Sequence, residues 1–424
     1  MKKILFLIFA ALLLPVIVFA QTPRITMKTD RKIGSTIYFR FEADPADINN
    51  IVIHGADREA NGGYVLTSHT VVIEGTVTRL FCQWCGLTSL DISQNPALTF
   101  LYCTYNQLTK LDISKNAALD QLWCDNNRLK TFNVSHNTYL TVLNCSNNDI
   151  KSLNISKNIH LISLTCDETL LKQVKLSNNN PELEYLSCRN SQIKKLDVTG
   201  SPNLNILICS DNKLKKLDVT QNTLLQVLNC YNNNLSALNL SENEHLTTLD
   251  CGKNPLRSMD VSHNQNLKEL LIKDVYLTKL NLSNNASIAY LDCSENNLAD
   301  LDLLRLNQLR VLDCSNNRLN TLTLSENNAL QYIGLNGNNF AACEIDRLFG
   351  ILPVQVSEPG KILLKYGDNS LPGADGCREY LATEKNWQVL SIFLEPCGDE
   401  DHDDHHFHEI PQEINNAGNY VCSE

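Results

Sequence analysis

The chain has 424 residues, 43% of them apolar and 20% charged, with a formal net charge of −11 at pH 7. That length and apolar content suffice for a sizeable core and for two or three domains. The acidic balance leaves no basic stripe to neutralise phosphates, which argues against nucleic-acid binding, and after residue 20 no stretch is apolar for long enough to cross a bilayer.

The chain opens on MKKILFLIFAALLLPVIVFA, two lysines followed by a long apolar run and small residues near Ala20. This is the pattern of a secretory signal over residues 1–20, cleaved so that the mature chain begins near Gln21. It implies export, to a location that is secreted, cell-surface or outer-membrane-associated. Residues 21–77 do not repeat; STIYFRFEA, NIVIHG and HTVVIEG alternate like short strands, with NGG as a turn, and predict a β-rich N-terminal cap.

From 78 to 339 the chain repeats. Cys82, Cys103, Cys124, Cys145 and Cys166 are 21 residues apart; Cys188 follows after one inserted residue, and Cys209, Cys230 and Cys251 resume the step. The ladder runs on through Ile272, Cys293, Cys314 and Leu335. One unit, LTFLYCTYNQLTKLDISKNAA, has the form LxxLxCxxNxLxxLDIxxNxx, a period in the leucine-rich-repeat range. The predicted fold is a leucine-rich-repeat solenoid, an arc of about thirteen coils, each a β-strand plus an extended or irregular convex segment, on the order of 60 Å long at a strand spacing of roughly 4.8 Å. Leu98, Leu101, Cys103, Leu108, Leu111 and Ile113 form the apolar face of one coil, and Asn106, with Asn127, Asn148, Asn212, Asn233, Asn254, Asn296, Asn317 and Asn338, is placed to satisfy backbone groups at the bend.

Cys82 and Cys85 make a CxxC in RLFCQWCGL, yet Cys82 falls on the ladder and Cys85 on the site that Asn106 occupies one coil later. The spacing follows from the repeat, with no βαβ pattern or second thiol pair beside it. The ladder itself is expected as buried free thiols. Residues in register on adjacent parallel strands keep their β-carbons roughly 4.8 Å apart, where a disulfide wants about 3.8 Å.

After Asn339 the period stops; CEIDRLFGILP, KILLKYG, CREYLATEKNW and QVLSIFL read as helix, strand, helix, strand over 340–397, a small α/β C-terminal cap. Cys85, Cys343, Cys377, Cys397 and Cys422 lie off the ladder, and a disulfide among those of the C-terminal cap is open. Residues 398–424 begin GDEDHDDHHFHEI, an acidic, histidine-rich tail expected to be disordered, with His402, His405, His406 and His408 spaced for no more than adventitious metal binding.

The unit carried by Leu101, Cys103, Asn106, Leu108, Leu111, Asp112 and Ile113, repeated from Cys82 to Leu335, resembles the internalin J type of bacterial leucine-rich-repeat surface protein. The resemblance implies an exported, non-enzymatic protein whose arc binds proteins or cell surfaces, in adhesion to host cells or in bacterial aggregation. Members from Gram-positive bacteria end in a sortase signal; LPGADG at 371–376 departs from it.

A solenoid binds through columns of equivalent outward positions. In the first coils these hold Phe81, Trp84, Phe100, Tyr102, Tyr105 and Trp123, aromatic residues of the kind enriched at protein-binding hot spots, with packing beneath the cap as the other reading for Phe81 and Trp84. Further on the column turns acidic, with Asp250, Asp292 and Asp313 beside Glu295, a solvated face or a weak calcium site. No catalytic constellation, phosphate loop or cofactor motif emerges, so the expectation is no enzyme, no cofactor and no metal. Three functions fit: adhesion to a host or bacterial surface protein, self-association in aggregation or biofilm, and capture of a small ligand.

Overall fold

Each repeat places a buried leucine between two outward side chains with a cysteine two positions on, so the chain runs extended for three or four residues and must then turn. The computed structural model describes residues 22–176, 180–324, 329–366 and 369–392. Within them thirteen three-residue strands, from Arg79–Phe81 through Phe100–Tyr102 and Gln121–Trp123 to Tyr332–Gly334, lie side by side in one parallel register that stacks Leu80, Leu101, Leu122 and Leu143. Each cysteine extends the ladder one residue further: the Cys103 N–H donates to the Trp123 carbonyl (2.9 Å) and Cys124 to that of Asn144 (2.9 Å). The fold is a leucine-rich-repeat solenoid with a 21-residue turn.

The interior is built as the repeat predicts. Leu98, Leu101, Cys103, Leu108, Leu111 and Ile113 are all buried. A fully buried large aliphatic side chain contributes about 1.5–3 kcal/mol, so apolar stacking dominates the stability of every coil. The eleven ladder cysteines, together with Cys85, are buried free thiols. Burial pushes these thiols up, Cys145 to about 12, which holds them protonated and unreactive.

Asn106 shows what the bend requires. Its Nδ2 donates to the carbonyls of Cys82 (2.9 Å), Cys103 (3.0 Å) and Thr104 (3.1 Å), and its Oδ1 accepts from the Leu87 N–H (2.8 Å). Asn233 repeats the pattern on Cys209, Cys230, Tyr231 and Leu214. A second, fully buried asparagine column closes the opposite bend: Asn116 donates to Ile92 (3.1 Å) and Asn95 (2.9 Å), and Asn137, Asn158, Asn222, Asn243, Asn264 and Asn285 donate alike to the preceding coils. The first column is interrupted where the 22-residue coil sits: Thr169 and Ser191 replace asparagine, their hydroxyls 3.0 Å apart. The second half of each coil is mostly turns, with short parallel pairs such as Leu153–Asn154 with Val174–Lys175.

The N-terminal segment grips the first coil on both sides. Strand Arg40–Glu42 runs antiparallel to Arg79–Phe81, and Arg24–Thr29 lies antiparallel between Thr70–Glu74 and Leu87–Gln94, burying Ile25, Met27, Val71 and Ile73. The second half of the first coil, Leu87–Gln94, thus shares a sheet with strands of the N-terminal segment. At the other end Gly360–Tyr366 joins the long sheet beside Tyr332–Gly334 and Trp387–Ile392 follows, with helix Ala342–Ile351 burying Ile345, Leu348 and Phe349. Gly360 leaves room for the Trp387 ring, which a Cβ would meet at 2.5 Å. Cys343 is exposed and Cys377 half-buried, both free; Cys397, Cys422, the segment 1–20 expected as a signal sequence and the tail 398–424 lie outside the described residues.

Two outcomes test this interior. In native protein the ladder thiols resist alkylation, and after unfolding under non-reducing conditions most become labelled; mass-mapped bridges between successive ladder cysteines would contradict the buried-thiol arrangement. Replacing Asn233 by Ala strands its carbonyl partners and the Leu214 N–H, and a denaturation titration should register a loss of about 1–3 kcal/mol.

Candidate binding face

Two outward columns flank each ladder leucine, and a third begins where the strand ends. The column after the leucine holds Asn144, Asn229, Asp250, Asp292 and Asp313, whose side-chain oxygens accept the N–H two residues on, from Ser146 (3.1 Å), Tyr231 (3.1 Å), Gly252 (3.3 Å), Ser294 (3.0 Å) and Ser315 (2.9 Å). This Asx bond closes the turn locally. Four residues after the leucine the backbone is left-handed, φ 48–58°, at positions 84 to 316 of successive coils; Asn126, Asn147, Asn190, Asp211, Asn232, Asp274 and Asn316 stand there, with Glu168, Lys253 and Glu295 in three further coils. Asparagine and aspartate tolerate that conformation; bulky side chains do so at a cost.

The first coils carry aromatics in both columns. Phe81, Tyr102 and Trp123 stand in the first column, where an aromatic ring cannot accept the closing bond, and Trp84 (φ 58°) and Tyr105 (φ 53°) occupy the left-handed position. The six aromatic residues singled out from sequence resolve into two groups. On the sheet face, Phe81 and Phe100 lie 4.7 Å apart, Phe100 and Trp123 5.1 Å, and Tyr102 and Trp123 5.9 Å, all half-buried. At the strand ends Trp84 stacks on Tyr105 at 4.0 Å with planes 9° apart, and the pair is 61% and 43% exposed. The cap does not cover Trp84; instead Arg31 donates to its backbone carbonyl (3.1 Å).

Cations from the cap and first strand join this surface. Arg40 lies over the Phe81 ring at 4.3 Å and Arg79 over Phe100 at 4.3 Å, while Arg79 also pairs with Glu42 at 3.2 Å. Beside the Trp84–Tyr105 stack an open groove of about 520 Å³ is lined by Asp30, Arg31, Lys32 and Gln107. Cys85, the second thiol of the CxxC, points inward and donates to the Tyr38 carbonyl (3.2 Å), and burial pushes it up to about 12.

The acidic column is a different surface. Asp292 and Asp313 stand opposite one another on paired strands, and Lys273 pairs with Glu295 at 3.1 Å. Among the described residues no cluster of three or more His, Cys, Asp or Glu could hold a metal ion, so the calcium reading of this column has no geometric support. Burial, followed by the neighbouring Asp292 and Asp211 charges and opposed by the Gly252 N–H, raises Asp250 to about 7; burial and Asp313 raise Asp292 to about 6. An acid whose folded pKa lies above its unfolded value of about 3.9 favours folding when protonated, so this stability is present below about pH 4 and is lost as pH rises through 7. Asp250→Asn should accordingly raise the melting temperature at pH 8 and give no gain below pH 4, read by scanning calorimetry at both.

No protein-family model and no curated protein sequence matches the chain. Solved structures do. InlJ from Listeria monocytogenes, whose functional domain includes a cysteine ladder, aligns with a TM-score of 0.56 at 27% identity over 77% of this chain and 76% of that one. YopM, a leucine-rich effector protein from Yersinia pestis, aligns at 0.56 and 24% identity over 74% and 89%, and an internalin (inlF) from Listeria monocytogenes at 0.54 and 18% over 75% and 87%. The last two show the shared fold, while the first is also a protein with a cysteine ladder. With its 21-residue coils and stacked free thiols, the chain is an internalin-J-like leucine-rich-repeat protein.

Proposed function

We propose that this is an exported, non-enzymatic protein-binding module, acting in adhesion to a host or bacterial surface protein, and that Tyr102, Tyr105, Trp123, Phe100, Phe81 and Trp84 form its contact surface. Leucine-rich-repeat neighbours support a module that binds protein. The observation that carries the location is the concentration of aromatic rings, in the first three coils, in two columns where many later coils use asparagine or aspartate to close or relax the turn. A bulky residue held left-handed costs about 1–3 kcal/mol, and such cost accumulates at functional sites. Large, rigid rings, here two exposed and four half-buried, with arginines beside them are the composition of hot spots. The groove beside Trp84 is open along the surface, which favours a protein contact over enclosure of a small ligand.

A pull-down with the mature chain against host and bacterial surface proteins identifies the partner. Replacing Tyr102, Tyr105 and Trp123 together by Ala should then leave the fold intact and weaken attachment at least thirtyfold, about 2 kcal/mol. Undiminished attachment in a protein that melts early would make the rings core residues and move the contact to the acidic column. Strain supplies an independent check: stacking returns only about 0.5–1.5 kcal/mol, so Trp84→Asn with Tyr105→Asn should keep or raise the melting temperature while lowering affinity.

A further inference from the structure

We infer that the aromatic, arginine-bearing end of the solenoid binds the acidic run of residues 399–410 from a second copy of the same chain, so that the protein self-associates head to tail. The inference rests on the contact surface proposed above and names one partner for it. Charge is distributed unevenly along the chain. Residues 393–424 hold nine of its 47 acidic residues and none of its 36 basic ones, so nearly all of the −11 net charge belongs to this segment and the remaining 392 residues carry only −2.

The receiving surface has the opposite balance. Around the aromatic groups Arg31, Lys32 and Arg40 are exposed and Arg79 is partly so, against the carboxylates of Asp30 and Glu42. Asp30 already accepts from Gln107, and Glu42 is held by Arg79. Guanidinium groups resting on aromatic rings offer paired donors to a carboxylate and an apolar floor beneath it. The run DEDHDDHHFHEI at 399–410 supplies carboxylates together with Phe407 and Ile410 as apolar anchors.

Reach makes the contact intermolecular. The sheet joins Phe100–Tyr102 to Trp387–Ile392 through thirteen strand-to-strand steps, about 60 Å at ~4.8 Å each. Asp404 lies 12 residues beyond Ile392, at most about 40 Å in a fully extended chain, and Ile410, 18 residues beyond, spans about 60 Å only when every residue is fully extended. The carboxylates of 399–404 therefore fall short of the aromatic end of their own copy, and the run as a whole seats there only on a neighbour. A heterologous contact of this kind extends into chains of copies unless it closes into a ring.

Sedimentation of the full chain tests it through two variants. One reverses the receiving charges, Lys32→Glu with Arg40→Glu; the other neutralises the run, with Asp399, Asp401, Asp403 and Asp404 changed to Asn, Glu400 and Glu409 to Gln and Phe407 to Ala. The unmodified chain should form oligomers that grow with concentration and weaken at least tenfold between 50 and 500 mM salt. Each variant alone should be monomeric, and a one-to-one mixture should form dimers and nothing larger, since one variant supplies an intact run and the other an intact surface. An unmodified chain that stays monomeric at 100 μM, or oligomers that survive neutralisation of the run, would overturn the inference. Attachment to a foreign partner, measured on the same variants, reports separately on the proposed function: it persists in the run variant if only self-association is wrong, and is insensitive to the aromatic substitutions if the contact surface itself is wrong.

Discussion

The exchange of hydrogen bonds between a buried asparagine amide and the backbone of two successive coils is the constraint on which the rest of the molecule depends. A coil of 21 residues has two sharp bends, and each leaves carbonyls and N–H groups that face inward with no strand opposite them. An unpaired buried polar group costs about 1–3 kcal/mol, and here the cost would recur at every turn. Asparagine meets the need at the first bend because one short side chain carries both donors and an acceptor. Aspartate would lack the donors, and glutamine would carry the amide one carbon too far. Once both bends are closed in this way, the leucines and thiols are fixed in depth and the strand register follows.

The same closure explains why the cysteine ladder needs no oxidation. The ladder position lies between a stacked leucine and an asparagine-bound turn, so it accepts any compact apolar side chain; Ile272 occupies it in one coil with 0% exposure and Leu335 in another, likewise buried. A thiol fits because it is small, and burial keeps it protonated. Redox chemistry would require the sulfurs to approach more closely than the parallel register permits.

How much of this was legible follows from locality. The period, the inward leucines and cysteines, the asparagine of the first bend and the register of Cys82 could be read directly, since each depends on a spacing that recurs in every coil. The second asparagine column was visible as a repeated letter, but its donation to carbonyls 21 and 24 residues back was not assigned to it. The left-handed position was announced by Asn126, Asn147, Asn190, Asn232 and Asn316, a signal that would have marked Trp84 and Tyr105 as exceptions had the column been read for backbone conformation. The grip of the N-terminal segment on the first coil was hidden for another reason. Antiparallel pairing of Arg24–Thr29 with Leu87–Gln94 joins segments some 60 residues apart, and local alternation carries no information about which strand a partner will be.

The placement of the aromatics next to that cap has a physical basis. Giving up the closing Asx bond and accepting strain at Trp84 and Tyr105 loosens the turns of the first coils, the first of which has a coil of its own kind on one side only. The cap restores what is lost at the first of these turns: the Thr29 hydroxyl donates to the Cys85 carbonyl (2.7 Å), Cys85 donates to Tyr38, and Arg31 holds the Trp84 carbonyl. Arg40, on the cap strand that pairs with Arg79–Phe81, covers one face of the Phe81 ring. A coil in the middle of the stack has neighbours of its own kind and no such external donors. Aromatic side chains in these columns can therefore be supported at the capped end at least expense, so the segment that covers the solenoid's apolar edge also braces the surface assigned here to binding.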